Sequence, residues 1–275
     1  MKKFLVIGFL ALIMSGIISG CSQSEQGVAP LETFSMTSSV LNEKRTITVW
    51  YPDDYATRVD SLPVLYLLDG GAKEDFAHVA QTVSELIESK KMRAVLLVGI
   101  ENTQRRRDFT GPTLVKSDLD IAPKVGESAA FRRFLQTELL PQIQQKYRVT
   151  NERGLIGESL AGLFVVETFL KTPELFTHYI AFDPSLWWNN QALVRESESV
   201  LKNQPENNQT LWIASSDATD IVPYTTALAN SLQNFAQTQL KWHYSPMPKE
   251  QHATVFRAAK KEALLWTYGS ELDGK

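Results

Sequence analysis

The stretch Gly157-Glu158-Ser159-Leu160-Ala161-Gly162 holds the most reactive arrangement in this chain, because it falls between a run that reads as a strand and a pattern that reads as a helix. A serine at the tip of such a turn projects its hydroxyl outward, and small residues must flank it where the backbone passes close to itself. Gly157 and Ala161 meet that need, with Ala161 standing where the common G-x-S-x-G pattern has its second glycine. The chemistry on offer is attack by the Ser159 hydroxyl on an acyl carbon, with a covalent intermediate.

A hydroxyl is too weakly acidic to attack unaided, so a base must take its proton and a carboxylate should orient that base. For a nucleophile at a strand-to-helix turn, the order along the chain is nucleophile, acid, histidine. His78 sits in a helical pattern ahead of the nucleophile, His178 precedes a strand, and His243 lies inside a late strand. His252 follows the last strand, in Lys249-Glu250-Gln251-His252, and is the expected base. The acid is expected after the strand at 210–214, where Asp217 lies nearest the strand end, with Asp220, Asp183 and Glu250 as alternatives. An oxyanion needs fixed N–H donors. The amide of Leu160 and that of Gly71, in the turn Asp69-Gly70-Gly71, are the candidates.

These groups need a scaffold, and from residue 31 onward short β-branched or aromatic runs alternate with longer helical patterns. That is the α/β class, a mostly parallel central sheet with helices on both faces. Strands are expected over 45–51, 62–68, 94–100, 154–156, 179–182, 210–214 and 240–244, and helices over 76–88, 131–147 (starting near Ser128), 159–171 and 253–268. The polar connection 101–125 is long enough to be a wall of the active site. No linker interrupts residues 31–275, which read as one domain.

A formal net charge of −3 gives no reason to expect nucleic acid as a partner, because phosphate binding needs a clustered positive field. The one basic run, Arg105-Arg106-Arg107, reads either as a solvated loop or as a patch that steers an anionic substrate. The only cysteine, Cys21, ends a segment laid out as an export signal: Lys2 and Lys3, then an apolar run over 4–20 that is shorter than the roughly 20 residues of a spanning helix. Ile18-Ser19-Gly20-Cys21 resembles a bacterial lipobox, which implies removal of residues 1–20, lipidation of Cys21 and a flexible tether over 21–30. Ser22 after the cysteine fits the pattern sent on to the outer membrane. A single cysteine allows no intrachain disulfide, so stability must come from core packing.

Four segments in order, LPVLYLLDGG (62–71), VGIENTQRRRDFT (98–110), LIGESLAGLF (155–164) and FDPSLWWNN (182–190), followed by the His252 region, resemble the esterase family of α/β-hydrolases that includes the Fes-type enterobactin esterases and the esterase D group. The resemblance implies an α/β-hydrolase fold, a Ser–His pair with an acid that varies among members, and no cofactor. It places PSLWW along the cleft, so Trp187 and Trp188 either contact substrate or pack beneath a cap. Its siderophore-hydrolysing branch would give the arginines, Arg107 among them, a role in binding anionic ferric catecholates. A surface anchor departs from the soluble enzyme that intracellular siderophore hydrolysis needs. The expectation is an envelope-anchored serine hydrolase that cleaves small acyl esters through an acyl-enzyme, its partners a small-molecule ester and the membrane held through Cys21. An acyltransferase of the same fold and a non-catalytic binding lipoprotein are the alternatives.

Overall fold

The computed structural model describes residues 31–204, 208–235 and 239–270. The expected signal (1–20), Cys21 and the tether (21–30) lie outside the described residues. The chain runs through β1 (Leu31–Ser38), β2 (Glu43–Trp50), β3 (Leu62–Leu68), α1 (Phe76–Glu88), β4 (Leu96–Ile100) and the short helices α2 (Arg105–Phe109) and α3 (Lys116–Leu119). It continues with α4 (Ser128–Phe134), α5 (Leu140–Lys146), β5 (Val149–Glu158), α6 (Leu160–Lys171), β6 (His178–Phe182), α7 (Trp188–Asn203), β7 (Thr210–Ser215), α8 (Val222–Phe235), β8 (Lys241–Pro246) and α9 (Val255–Tyr268).

The eight strands form one sheet in the order β1-β2-β4-β3-β5-β6-β7-β8. β1 and β2 pair antiparallel, β2 meets β4 antiparallel, and every pairing from β4 to β8 is parallel. β3 shows why its near-continuous apolar sequence makes a central strand, since all seven of its residues are buried. Val64, Tyr66 and Leu68 enter the core on one face, with Phe131, Leu140 and Phe164 of the helices there. Leu65 and Leu67 enter the core on the other face, with Phe76 and Val83 of α1 and Phe256 and Leu264 of α9.

Three features differ from the sequence expectation. The 101–125 connection carries α2 and α3 rather than being irregular throughout. The expected helix over 131–147 is split into α4 and α5 by a π-helical turn at Leu135–Leu139. Strand β1 and helices α7 and α8 also appear where no regular element was expected.

Candidate active site

β5 ends at Glu158 and α6 begins at Leu160, which leaves Ser159 alone in the turn with φ 61° and ψ −120°. A serine at positive φ is strained, and the turn persists because its surroundings fix it. The Ser159 amide donates to the Phe182 carbonyl at 2.9 Å. A Cβ on Gly157 would lie 2.7 Å from Ala161 Cβ, and one on Gly162 would lie 2.9 Å from the Phe182 carbonyl oxygen. Alanine fits at 161 because position 157 has no side chain.

His252 lies in the loop between β8 and α9, with Nε2 3.2 Å from Ser159 Oγ and Nδ1 2.8 Å from Asp183 Oδ2. Asp183 follows β6 directly and is wholly buried, at 0% exposure. Its carboxylate also accepts from the Ser216 amide at 2.6 Å and from the Ser216 hydroxyl at 2.5 Å. A carboxylate facing Nδ1 makes that nitrogen the donor, which leaves Nε2 to accept the Ser159 proton. The hydrogen bond to Asp183 raises the His252 pKa above the ordinary imidazole value against the opposing effect of burial, and the charges of Asp183, Glu158 and Asp220 add to the rise.

The sequence-based choice of acid is therefore corrected. Asp217 is exposed, its amide donates to the Glu250 carbonyl at 2.9 Å, and among the described residues no hydrogen bond or ion pair joins its side chain to His252. Asp220 is likewise exposed, and Glu250 accepts from Thr254 Oγ1 at 2.8 Å. The physical reason lies in the strand order. β6 is the neighbour of β5 and β7 is one strand further out, so the residue after β6 sits beside the nucleophile. From the β7 loop it is Ser216 that reaches the site, through Asp183. The available signal was an aspartate followed by proline directly after an apolar strand, inside the FDPSLWW segment.

Three further expectations change. Gly71 does not offer its amide, because that N–H donates to Glu74 Oε2 at 2.7 Å, and Asn102 holds the same carboxylate at 2.8 Å. Arg107 does not face substrate. It is 4% exposed and pairs with Glu43 at 2.7 and 3.0 Å and with Asp108 at 2.7 Å. Trp188 is a core residue at 5% exposure, its Nε1 donating to the Gly111 carbonyl at 2.8 Å, whereas Trp187 is only half-buried. Leu160 is the first residue of α6, so helix geometry leaves its N–H without an intrahelical acceptor.

Charges near the turn are mostly paired. Arg105 grips Asp69 through two hydrogen bonds of 2.7 and 2.8 Å and donates to the Glu158 carbonyl at 3.3 Å. Among the described residues, Glu158 Oε1 is buried without a hydrogen-bond partner. Burial, together with Asp75, Asp183 and Asp69 and against the effect of His252, holds its carboxyl pKa up to about 7. Two concavities adjoin these groups. One, of about 420 Å³, is lined by Gln104, Arg105, Arg106, Arg107, Ala122, Pro123 and Lys124. The other, of about 600 Å³, is lined by Ser216, Asp217 and the apolar Val222, Pro223, Pro246 and Pro248 among others. Among the described residues no group of three or more His, Cys, Asp or Glu is placed to hold a metal ion.

Residues 38–267 match the family described as Putative esterase. The chain is 32% identical over 171 residues to ferri-bacillibactin esterase BesA of Bacillus subtilis (strain 168), covering 55% of this chain and 57% of the relative. It is 29% identical over 180 residues to apo-salmochelin esterase of Escherichia coli O6:H1, covering 61% and 56% respectively. The chain thus spans under three fifths of the length of these curated relatives. The crystal structure of an IroE-like serine hydrolase from Shewanella oneidensis superposes with a TM-score of 0.80 at 25% identity, over 87% of this chain and 80% of that one. The fold is that of the α/β-hydrolases.

Proposed function

Because the chain belongs to the Putative esterase family, we propose that it is a serine hydrolase of carboxylic esters that works through an acyl-enzyme on Ser159. One observation carries this reading: the hydrogen-bonded line from Ser159 Oγ to His252 Nε2 and from His252 Nδ1 to Asp183. Along that line Ser159 Oγ attacks the acyl carbon while its proton passes to His252 Nε2, and the buried Asp183 carboxylate holds the resulting imidazolium in place. The Leu160 N–H, at the positive end of α6, stabilises the oxyanion. His252 then protonates the leaving alkoxide and the alcohol departs. Water attacks the acyl-enzyme as His252 takes its proton, the acid is released, and Ser159 recovers its hydrogen.

The substrate class we assign is a siderophore-type ester. The names of the two relatives support it, and so does the concavity beside Arg105, where the exposed Arg106 and Lys124 have no carboxylate partner among the described residues. Such cations suit the anionic end of the substrate, while the apolar concavity beside Ser216 suits its uncharged part. We assign the protein to the bacterial envelope, held by lipid on Cys21 as the lipobox-like segment implies.

Turnover of p-nitrophenyl butyrate tests the chemistry, with Ser159→Ala expected to lower kcat at least about a thousand-fold. Undiminished turnover by that variant would remove Ser159 from the reaction. Incorporation of radiolabelled palmitate in a bacterial host tests the anchor, since label should enter the intact chain and be absent from Cys21→Ser. Equal labelling of both would contradict lipidation at that residue.

A further inference from the structure

Ser185 makes a contact that the mechanism above does not use. Its side chain is 2% exposed, and among the described residues its hydroxyl has one hydrogen-bond partner, Ser159 Oγ at 3.4 Å. Its backbone is tied to the same residue, the Ser185 amide donating to the Ser159 carbonyl at 3.1 Å. Phe182, three residues earlier, accepts from the Ser159 amide. A single short segment at the C-terminal end of β6 thus orients both reacting partners: Asp183 holds His252, while Phe182 and Ser185 hold Ser159.

The direction of the hydroxyl pair follows from proton counting. Ser159 has one hydroxyl hydrogen, and it points to His252 Nε2, the acceptor nitrogen. Between the two serines, Ser185 must therefore be the donor. A buried hydroxyl is costly unless it is hydrogen-bonded, and this one is satisfied through the nucleophile itself.

We propose that Ser185 is a second hydroxyl of the catalytic centre, donating a hydrogen bond to Ser159 Oγ that strengthens as negative charge develops there. The inference rests on the assignment of Ser159 as nucleophile. No proton leaves Ser185. As the bond from Oγ to the acyl carbon forms, the Ser159 hydrogen moves to His252, and the Ser185 O–H stabilises the transient charge. During deacylation the Oγ–carbon bond breaks and charge returns to the same oxygen, so both half-reactions gain. A bond that is long toward a neutral oxygen and shorter toward a charged one favours the transition state over the ground state, the condition for raising kcat.

The test compares wild type with Ser185→Ala, and also Ser185→Thr with Ser185→Val, two side chains of matched size of which only threonine retains the hydroxyl. The readouts are kcat/KM for p-nitrophenyl butyrate across pH and the rate of covalent labelling by a fluorophosphonate. Alanine and valine should each lower both rates about 10- to 100-fold, the worth of a hydrogen bond to a charged oxygen. Threonine should exceed valine by a comparable factor. The acid limb of the pH profile should stay in place, because Ser185 makes no hydrogen bond to His252. Wild-type rates for Ser185→Ala, equal rates for threonine and valine, or a slowed variant whose acid limb has moved would each overturn the proposal. A wild-type protein that turns over no ester and takes no label would instead remove the hydrolase reading on which it rests.

Discussion

Replacing Glu158 by glutamine should stabilise the protein, and only at higher pH. The carboxyl adjoins the nucleophile, its Oε1 has no hydrogen-bond partner among the described residues, and burial first, then Asp75, Asp183 and Asp69, moves it from an ordinary 4.5 up to about 7. A group whose folded-state value is raised contributes stability that is complete below the unfolded value and is lost as pH climbs through the folded one. The window here is therefore from 4.5 to about 7. At about 1.4 kcal/mol per tenfold change in the equilibrium, that interval corresponds to about 3 kcal/mol, reduced toward about 2 kcal/mol by the solvent that still reaches this half-buried side chain. Glu158→Gln cannot ionise, so its advantage over wild type should be small at pH 5 and should reach about 2–3 kcal/mol at pH 8. Urea unfolding at pH 5, 6, 7 and 8 measures it. The same variant should move the acid limb of kcat/KM to lower pH, because the Glu158 charge helps to raise the His252 value. An advantage constant across that pH series, or none at pH 8, would refute the picture of a carboxylate stranded beside Ser159.

The remaining predictions separate residues that the sequence alone treats alike. Asp183→Asn should cost about 10⁴-fold in kcat and shift the acid limb downward, since the hydrogen bond to Asp183 is the first cause of the raised His252 value, while Asp217→Asn should leave both unchanged in the same assay. Trp188→Ala should destabilise by about 3–5 kcal/mol in urea unfolding, as a buried indole with a satisfied N–H, whereas the half-buried Trp187, which packs against the same core, should cost less when replaced by alanine. Arg107→Ala should cost only about 1–3 kcal/mol, because Glu43 and Asp108 both keep Arg45 as a partner, and Arg106→Ala should raise KM for a carboxylate-bearing ester but not for its neutral analogue.

The residues that the sequence placed well are those fixed by local physics. β3 was legible because a strand buried on both faces must be apolar throughout. The Ser159 turn was legible because its flanking small residues answer a steric demand inside six residues. The place of His252 beside that turn was legible from its position after the last strand. What was not legible depends on lateral neighbours. Closeness to a strand end favoured Asp217, yet the decisive fact is that β6, not β7, lies next to β5. Arg105 and Arg107 look interchangeable in a basic run, but α2 turns Arg107 inward onto Glu43 and Asp108 while Arg105 meets Asp69. Gly71 looked like a free donor because the carboxylate that takes its N–H, Glu74, lies three residues on. α7 escaped because Asn189, Asn190 and Gln191 adopt left-handed backbone angles at its start, and α8 because its threonine, serine and asparagine residues carry weak helix propensity.

The central claim is that Ser159 is a nucleophile activated by His252, which Asp183 orients. Its most direct test is fluorophosphonate labelling followed by peptide mass spectrometry on wild type, Ser159→Ala, His252→Ala and Asp183→Asn. The account predicts a single adduct on Ser159 in wild type, none in Ser159→Ala, and labelling slowed by orders of magnitude in the other two variants. An adduct on a different residue, or an unlabelled wild type beside intact fold, would contradict it.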